Sequence, residues 1–417
     1  MYFTKKRLSL YLVALMVLQI FTFSSGVRTL FAQAHGYFDL RAFYTAGYML
    51  RTGHSSVLYD YAQEQHFQNA VVSVEPRALP MMSPPFTALP FALLSHLSFS
   101  HAWVVFAIAN ILFLLASVRI VKPFLSALSA RWSTAPTLLF LSFLPMAVAL
   151  VCGQISILLL LIYCASFVFL RRGRDLVAGL ILSFALMKFQ VAVPIALLFV
   201  IWRQWRFITG FLAGTAILLA VSIRMLGLSA LGAYLGSLYT MTHSVVGSYT
   251  QLKFAILPHE MPNLYGMLFV ALHGAAWSHL LIITISLVVL AWAAFQRPSF
   301  PLALLTGMLV SYHLFFYDLT LLLLPLSLVA DHLLRNPETA AAESHKHRLL
   351  ITQISVGILL LAPFLRFLMA SDETCWLALP VLGIVFCSDW WPELHGLPEV
   401  ATANSPELVR HSPAFTG

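Results

Sequence analysis

The chain predicts an all-α polytopic membrane protein, from its composition, the spacing of its apolar runs and the placement of its basic residues. It has 417 residues, 60% of them hydrophobic and only 10% charged, with a mean hydropathy of +0.86. Soluble domains carry about 25% charged residues. The 13% aromatic content, with 32 Phe, suits helix surfaces that face lipid and the membrane interface. The net charge of +8 does not mark a nucleic-acid partner. Lys and Arg fall in short groups between apolar runs: Arg119 to Arg131, Arg171-Arg172-Arg174, Arg203 and Arg206, Arg297, and Arg335 to Arg348. Every second connection is therefore basic, the pattern of cytoplasmic loops. Cys152, Cys164, Cys375 and Cys387 lie in or beside apolar runs without metal-like spacing, and read as buried free thiols.

A crossing needs about 20 apolar residues, and charged or Pro/Gly breaks mark the turns. On that basis about 12 transmembrane helices are expected, near 8–30, 101–121, 133–152, 154–170, 175–188, 190–205, 207–226, 275–296, 300–316, 318–334, 349–369 and 375–391. The first follows Lys5-Lys6-Arg7 and reads as a retained signal anchor, being too bulky for a short signal-peptide core. Both termini then lie in the cytoplasm of a multi-pass protein of the cytoplasmic (inner) membrane. Residues 1–391 form one integral membrane domain. The 331–348 loop and the 392–417 tail read as solvated cytoplasmic segments.

Two outer segments are long. In the first, 31–100, an amphipathic stretch from Val57 to Val74 is expected to lie in the interface plane, with Asp60, Glu64 and Glu75 solvated. Ser83-Pro84-Pro85-Phe86 then stops one helix and starts another. In the second, 227–274, the run Leu264 to Leu272 is too short to cross and reads as re-entrant.

This topology gathers polar residues from five parts of the chain at outer helix ends: Asp39 and Arg41; Gln154; Lys188 and Gln190; Asn263 and Tyr265; and His313, Tyr317 and Asp318. A carboxylate can take the proton of an attacking hydroxyl. Lys and Arg can hold a phosphate as charge develops on it, and His can relay a proton or donate to a phosphate oxygen. Plainer roles exist for most of them. Lys188 can snorkel, His313 can pack, Asp318 can cap the helix it opens, and Arg41 can pair with Asp39. Asp39, set among Tyr37, Phe38, Phe43 and Tyr44, has no apolar helix face to decorate and no evident cap role, so it is the expected catalytic residue.

The order Asp39-x-x-x-x-Tyr44-x-Ala46, Gly53, Leu58-Tyr59, Pro84-Pro85-Phe86, Gly153-Gln154, Lys188-x-Gln190, Asn263-x-x-Gly266 and His313-x-x-x-Tyr317-Asp318 resembles glycosyltransferase family 87. The resemblance runs from about residue 8 to 335 and implies a GT-C fold with a long first outer loop carrying interfacial helices. It implies an inverting transferase that moves a sugar, mannose being favoured, from a polyprenyl-phosphate donor to a lipid or glycan acceptor on the outer face. Asp39 matches the presumed general base. Arg41, Tyr44, Gln154, Lys188, Gln190, Asn263, His313, Tyr317 and Asp318 are then the expected substrate-binding residues. No cofactor is expected beyond the donor substrate itself, and no carboxylate cluster stands ready for a metal. Ser156 departs from the pattern, replacing an Asn that often follows Gly-Gln. The competing readings are a secondary transporter, whose site usually lies near the midplane between repeated halves, and a non-enzymatic assembly protein. Neither accounts for polar groups gathered at one end.

Overall fold

In the computed structural model the described residues are 39–242, 256–275, 277–335, 346–369 and 373–387, with scattered positions between 10 and 24. The expected crossing at 8–30 lies largely outside them, as do most of the 331–348 loop and the 392–417 tail. The described residues are helical, with no strand among them. In chain order the helices are α1 (Leu40–Arg51), α2 (Tyr61–Val71), α3 (Ala88–Leu94), α4 (Phe99–Val121), α5 (Ser126–Arg131), α6 (Ala135–Leu141), α7 (Leu144–Cys152), α8 (Ser156–Arg171) and α9 (Asp175–Ser183). There follow α10 (Phe189–Ile201), α11 (Trp205–Thr242), α12 (Leu264–Ala271), α13 (Ser278–Ala294), α14 (Phe300–Val310), α15 (Leu323–Arg335), α16 (Lys346–Met369) and α17 (Ala378–Phe386).

Among the described residues, four helical runs are long and apolar enough to cross a membrane: Phe99–Phe124, Asp175–Ile201, Trp205–Thr240 and Phe316–Arg335. The pair α6 and α7, bent by 53° between Leu141 and Leu144, makes a fifth if the two halves are one broken span. The chain is thus a membrane protein with many apolar helices, several of them shorter than a full crossing.

By length alone Asp175–Ile201 is one span, but its packing folds it back. Ser166 Oγ donates to Ala178 O at 2.9 Å and Lys188 Nζ to Ser156 Oγ at 3.4 Å, so α9 and the 3-10 turn Phe184–Lys188 run antiparallel along α8. From there Gln190 Nε2 donates to His313 O at 3.0 Å, and the Phe199 ring lies 6.2 Å from that of Phe300. Helix α10 therefore runs antiparallel to α14. Phe199 then stacks on Phe207 at 4.1 Å, and a Cβ on Gly179 would lie 1.9 Å from Phe207 O. The end of α10 has returned to the level where α9 began. The 3-10 turn is a hairpin tip, and Lys188 stands on it.

The 31–100 segment departs from expectation. Asp60 caps α2 by accepting from the N–H groups of Ala62 and Gln63. The helix turns Glu64 and Gln68 inward and leaves Ala62, Gln63, His66 and Ala70 exposed. It presents no apolar face to lipid, so the interfacial reading is corrected. What holds it is polar: Arg41 donates to Gln68 Oε1 at 2.8 Å, Asn69 Oδ1 at 2.8 Å and Ser73 Oγ at 3.1 Å. Glu64, expected in solvent, is 4% exposed and accepts the Met81 N–H at 2.8 Å. Further on, α11 bends at Gly227 (φ 80°, ψ 166°), which lets its C-terminal part lie against the Ser55–Val57 and Pro85–Thr87 turns. Helix α12 buries Tyr265 and Phe269 in an apolar cluster with Ile256, Met261 and Ile282.

Candidate active site

Asp39 immediately precedes α1 but caps nothing: its backbone is already helical and its carboxylate makes no cap bond. The carboxylate instead accepts from Gln154 Nε2 at 2.8 Å. A backbone detail makes that contact. Helix α7 ends on Gly153 in the left-handed conformation (φ +66°), and a Cβ there would lie 2.6 Å from Leu40 Cβ. Only glycine both adopts that φ without strain and lets Leu40 close on the turn. The next side chain, Gln154, is thereby delivered to Asp39.

Two residues further, Ser156 opens α8 and donates to Asp318 Oδ1 at 2.6 Å. Lys188 forms an ion pair with the same oxygen, and its ammonium lies 4.8 Å from the Tyr317 ring centroid. The other Asp318 oxygen accepts the Phe315 N–H at 3.1 Å, closing the turn that begins the Phe316–Leu322 3-10 helix. Asp318 thus caps, as one reading had it, and also holds the hairpin tip. Burial is deep here: Asp318 is 2% exposed, Ser156 0% and Lys188 9%. A buried charge at this depth needs a partner, and Lys188 and Asp318 supply each other.

Asp39 belongs to the same electrostatic group. Burial is the main influence and pushes its carboxyl up to about 6; the Gln154 hydrogen bond and the Lys188 charge pull it down, while Asp318 pushes it up. The result is a carboxylate poised close to neutral pH, as general bases often are.

Of the expected site residues, the structure brings Asp39, Gln154, Lys188, Tyr317 and Asp318 together. Gln190 and His313 sit beside them, joined through the Gln190 amide and the His313 carbonyl. Three others are placed elsewhere. Arg41 is fully buried under α2 and pairs neither with Asp39 nor with this cluster. Tyr44 is buried, donating its hydroxyl to Leu97 O at 2.7 Å. Asn263 is 0% exposed: its oxygen caps α12 at Gly266 N–H and its amide donates to Ser311 O. All three had been expected at substrate from residue order, and all three brace the fold. Ser156 is the residue sequence reasoning passed over. Its signal was the position two residues after Gln154, noted only as a departure from a pattern. Among the described residues no three His, Cys, Asp or Glu side chains gather as metal ligands do.

A family model described as glycosyltransferase family 87 matches residues 83–325, more than half of the chain. The match takes in Gln154, Ser156, Lys188, His313 and Asp318, while Asp39 precedes it and is bonded into it through Gln154. No curated protein and no solved structure matches the chain.

Proposed function

The chain belongs to glycosyltransferase family 87 and is a membrane-embedded glycosyltransferase, and from that premise we propose that it is an inverting enzyme of GT-C fold with Asp39 as its general base. The donor is a polyprenyl-phosphate sugar, mannose being the favoured sugar, and the acceptor a hydroxyl of a lipid or glycan at the outer face. The acceptor oxygen attacks the anomeric carbon while its proton passes to the Asp39 carboxylate. The bond from that carbon to the phosphate oxygen breaks, and its electron pair leaves with the polyprenyl phosphate. Lys188 is the cation nearest the base that a departing phosphate can use, by sharing with Asp318 rather than by leaving it. His313 is the second donor-side candidate.

One observation carries this reading: the carboxylate of a half-buried residue, unused as a cap, bonded to the Gln154 amide and raised toward neutral pH. The test is Asp39→Asn. The variant should keep its fold and its donor binding while turnover falls by at least about a hundredfold. Because the raised carboxyl makes ionised Asp39 unfavourable to the fold above pH of about 6, the variant should melt no lower than the parent at pH 7. Undiminished transfer eliminates Asp39 as the base. Twelve crossings with both termini inside remain part of the proposal. It is supported by the alternation of antiparallel neighbours from α8 to α10 and α14. Family membership sets aside the transporter reading.

A further inference from the structure

A second concave site lies outside this cluster, between the first outer segment and the outer end of α11. It is a cavity of about 190 Å³, the room of about six water molecules at liquid density. That is the scale of one sugar or cyclitol ring and too small for a lipid tail.

Its lining is mixed in a particular way. Tyr59 and Tyr61 contribute aromatic rings, Met81 an apolar patch, Glu64 a carboxylate, and Ser237 and Thr240 hydroxyls. The walls are built. Tyr59 donates its hydroxyl to Ser83 O at 2.8 Å and rests its ring against Tyr234 at 5.1 Å. Glu64 is fixed by the Met81 N–H. Ser237 and Thr240 donate to the carbonyls of Tyr234 and Gly236, which leaves lone pairs on both oxygens to accept from a ligand.

Chemistry narrows the occupant. None of the lining residues is Lys or Arg, and Glu64 repels anions, so a phosphate does not belong here. A carboxylate in the wall equally disfavours an acyl chain. A ring bearing hydroxyls on its edge and C–H groups on its faces satisfies every wall: hydroxyls toward Glu64, Ser237 and Thr240, C–H faces toward the tyrosines. Met82 and Leu238, the sequence neighbours of the lining residues Met81 and Ser237, pack on the same apolar cluster as Tyr312 and Phe315, and the Phe315 N–H donates to Asp318.

We propose that this cavity is a subsite for an uncharged polyol ring, a sugar or inositol unit of the acceptor, held while its hydroxyl-bearing neighbour reaches Asp39. Calling that ring part of the acceptor rests on the transferase reading; binding itself does not. The test therefore measures binding without turnover. The purified full-length protein in detergent is titrated with methyl α-mannoside and, separately, with myo-inositol, in the Asp39→Asn background to silence transfer. Saturable binding of either probe is expected. Ser237→Trp, which fills the cavity, should raise its Kd by more than about tenfold, and Thr240→Ala should raise it by a smaller factor. In the Asp39-intact enzyme Ser237→Trp should raise the acceptor KM and leave the donor KM unchanged. Absence of saturable binding by both probes overturns the proposal, as does binding that Ser237→Trp leaves intact. Either result would leave the assignment of Asp39 standing, and loss of the Asp39 assignment would leave the binding measurement standing.

Discussion

Asp39 and Lys188 are the two side chains to which the proposed chemistry gives work, and their surroundings differ. Asp39 acts as a base only when ionised, and its carboxyl is raised to about 6. Acceptor-limited kcat/KM should therefore rise with pH through that value and level off above it. The Gln154 amide favours the charged form. Gln154→Ala should shift the acidic limb of the profile to higher pH, and a limb that stays in place would show that the hydrogen bond plays no part in turnover. Lys188 was expected to snorkel or to meet donor phosphate, and it is found paired inside the protein. Lys188→Ala leaves Asp318 buried without its counter-charge, a cost of about 3–5 kcal/mol, so it should lower the melting temperature as well as weaken donor use. The double variant Lys188→Ala/Asp318→Asn should recover part of the lost stability in the same melting experiment. If recovery is absent, the pair is not what holds the hairpin tip.

At the scale of elements, a single turn between α7 and α8 places both halves of the cluster. Gly153 lets Leu40 close on it, Gln154 reaches Asp39, and Ser156 reaches Asp318. Gly153→Ala adds backbone strain of about 1–2 kcal/mol and a clash with Leu40, so it should displace Asp39 from its amide. Misplacement of a catalytic group by 1 Å can cost about a hundredfold, and a fall of that order in kcat is expected. Gly173 is the control: it has a similar φ of +69° but nothing within 4 Å of an added Cβ. Gly173→Ala should show the strain in a melting curve and leave kcat alone. Equal losses of activity in both variants would point to backbone strain and away from the Leu40 contact.

The whole molecule is organised by where its half-length helices turn. If the α9–α10 hairpin returns to the side it left, reporters fused after Arg172 and after Arg203 should both read cytoplasm, and one near residue 70 should read the outer side. A single crossing by Asp175–Ile201 would put the first two on opposite sides. An inverted result overall would move Asp39 to the cytoplasm and end the polyprenyl-donor mechanism.

Composition and apolar spacing alone determined that this is a helical membrane protein, because hydrocarbon demands long apolar helices whatever their partners are. The break between residues 188 and 190 was legible for the same reason, as was the prominence of Asp39, a carboxylate with no local use. The family itself was legible in the order of its short motifs. Partnership was not. Arg41, Tyr44 and Asn263 carry the same donors and acceptors whether they face a substrate or brace a helix, and only packing showed their polar atoms already bonded inside the protein. For the same reason α2 looked interfacial: its sequence pattern shows two faces, and tertiary structure decided that the polar one is turned inward, where Arg41 awaits it. Glu64, read as solvated, became the wall of a cavity because α11 bends at Gly227 and covers it. Contacts between segments more than a hundred residues apart leave no periodicity behind, so Asp39 with Gln154, and Lys188 with Asp318, were decided by the fold alone.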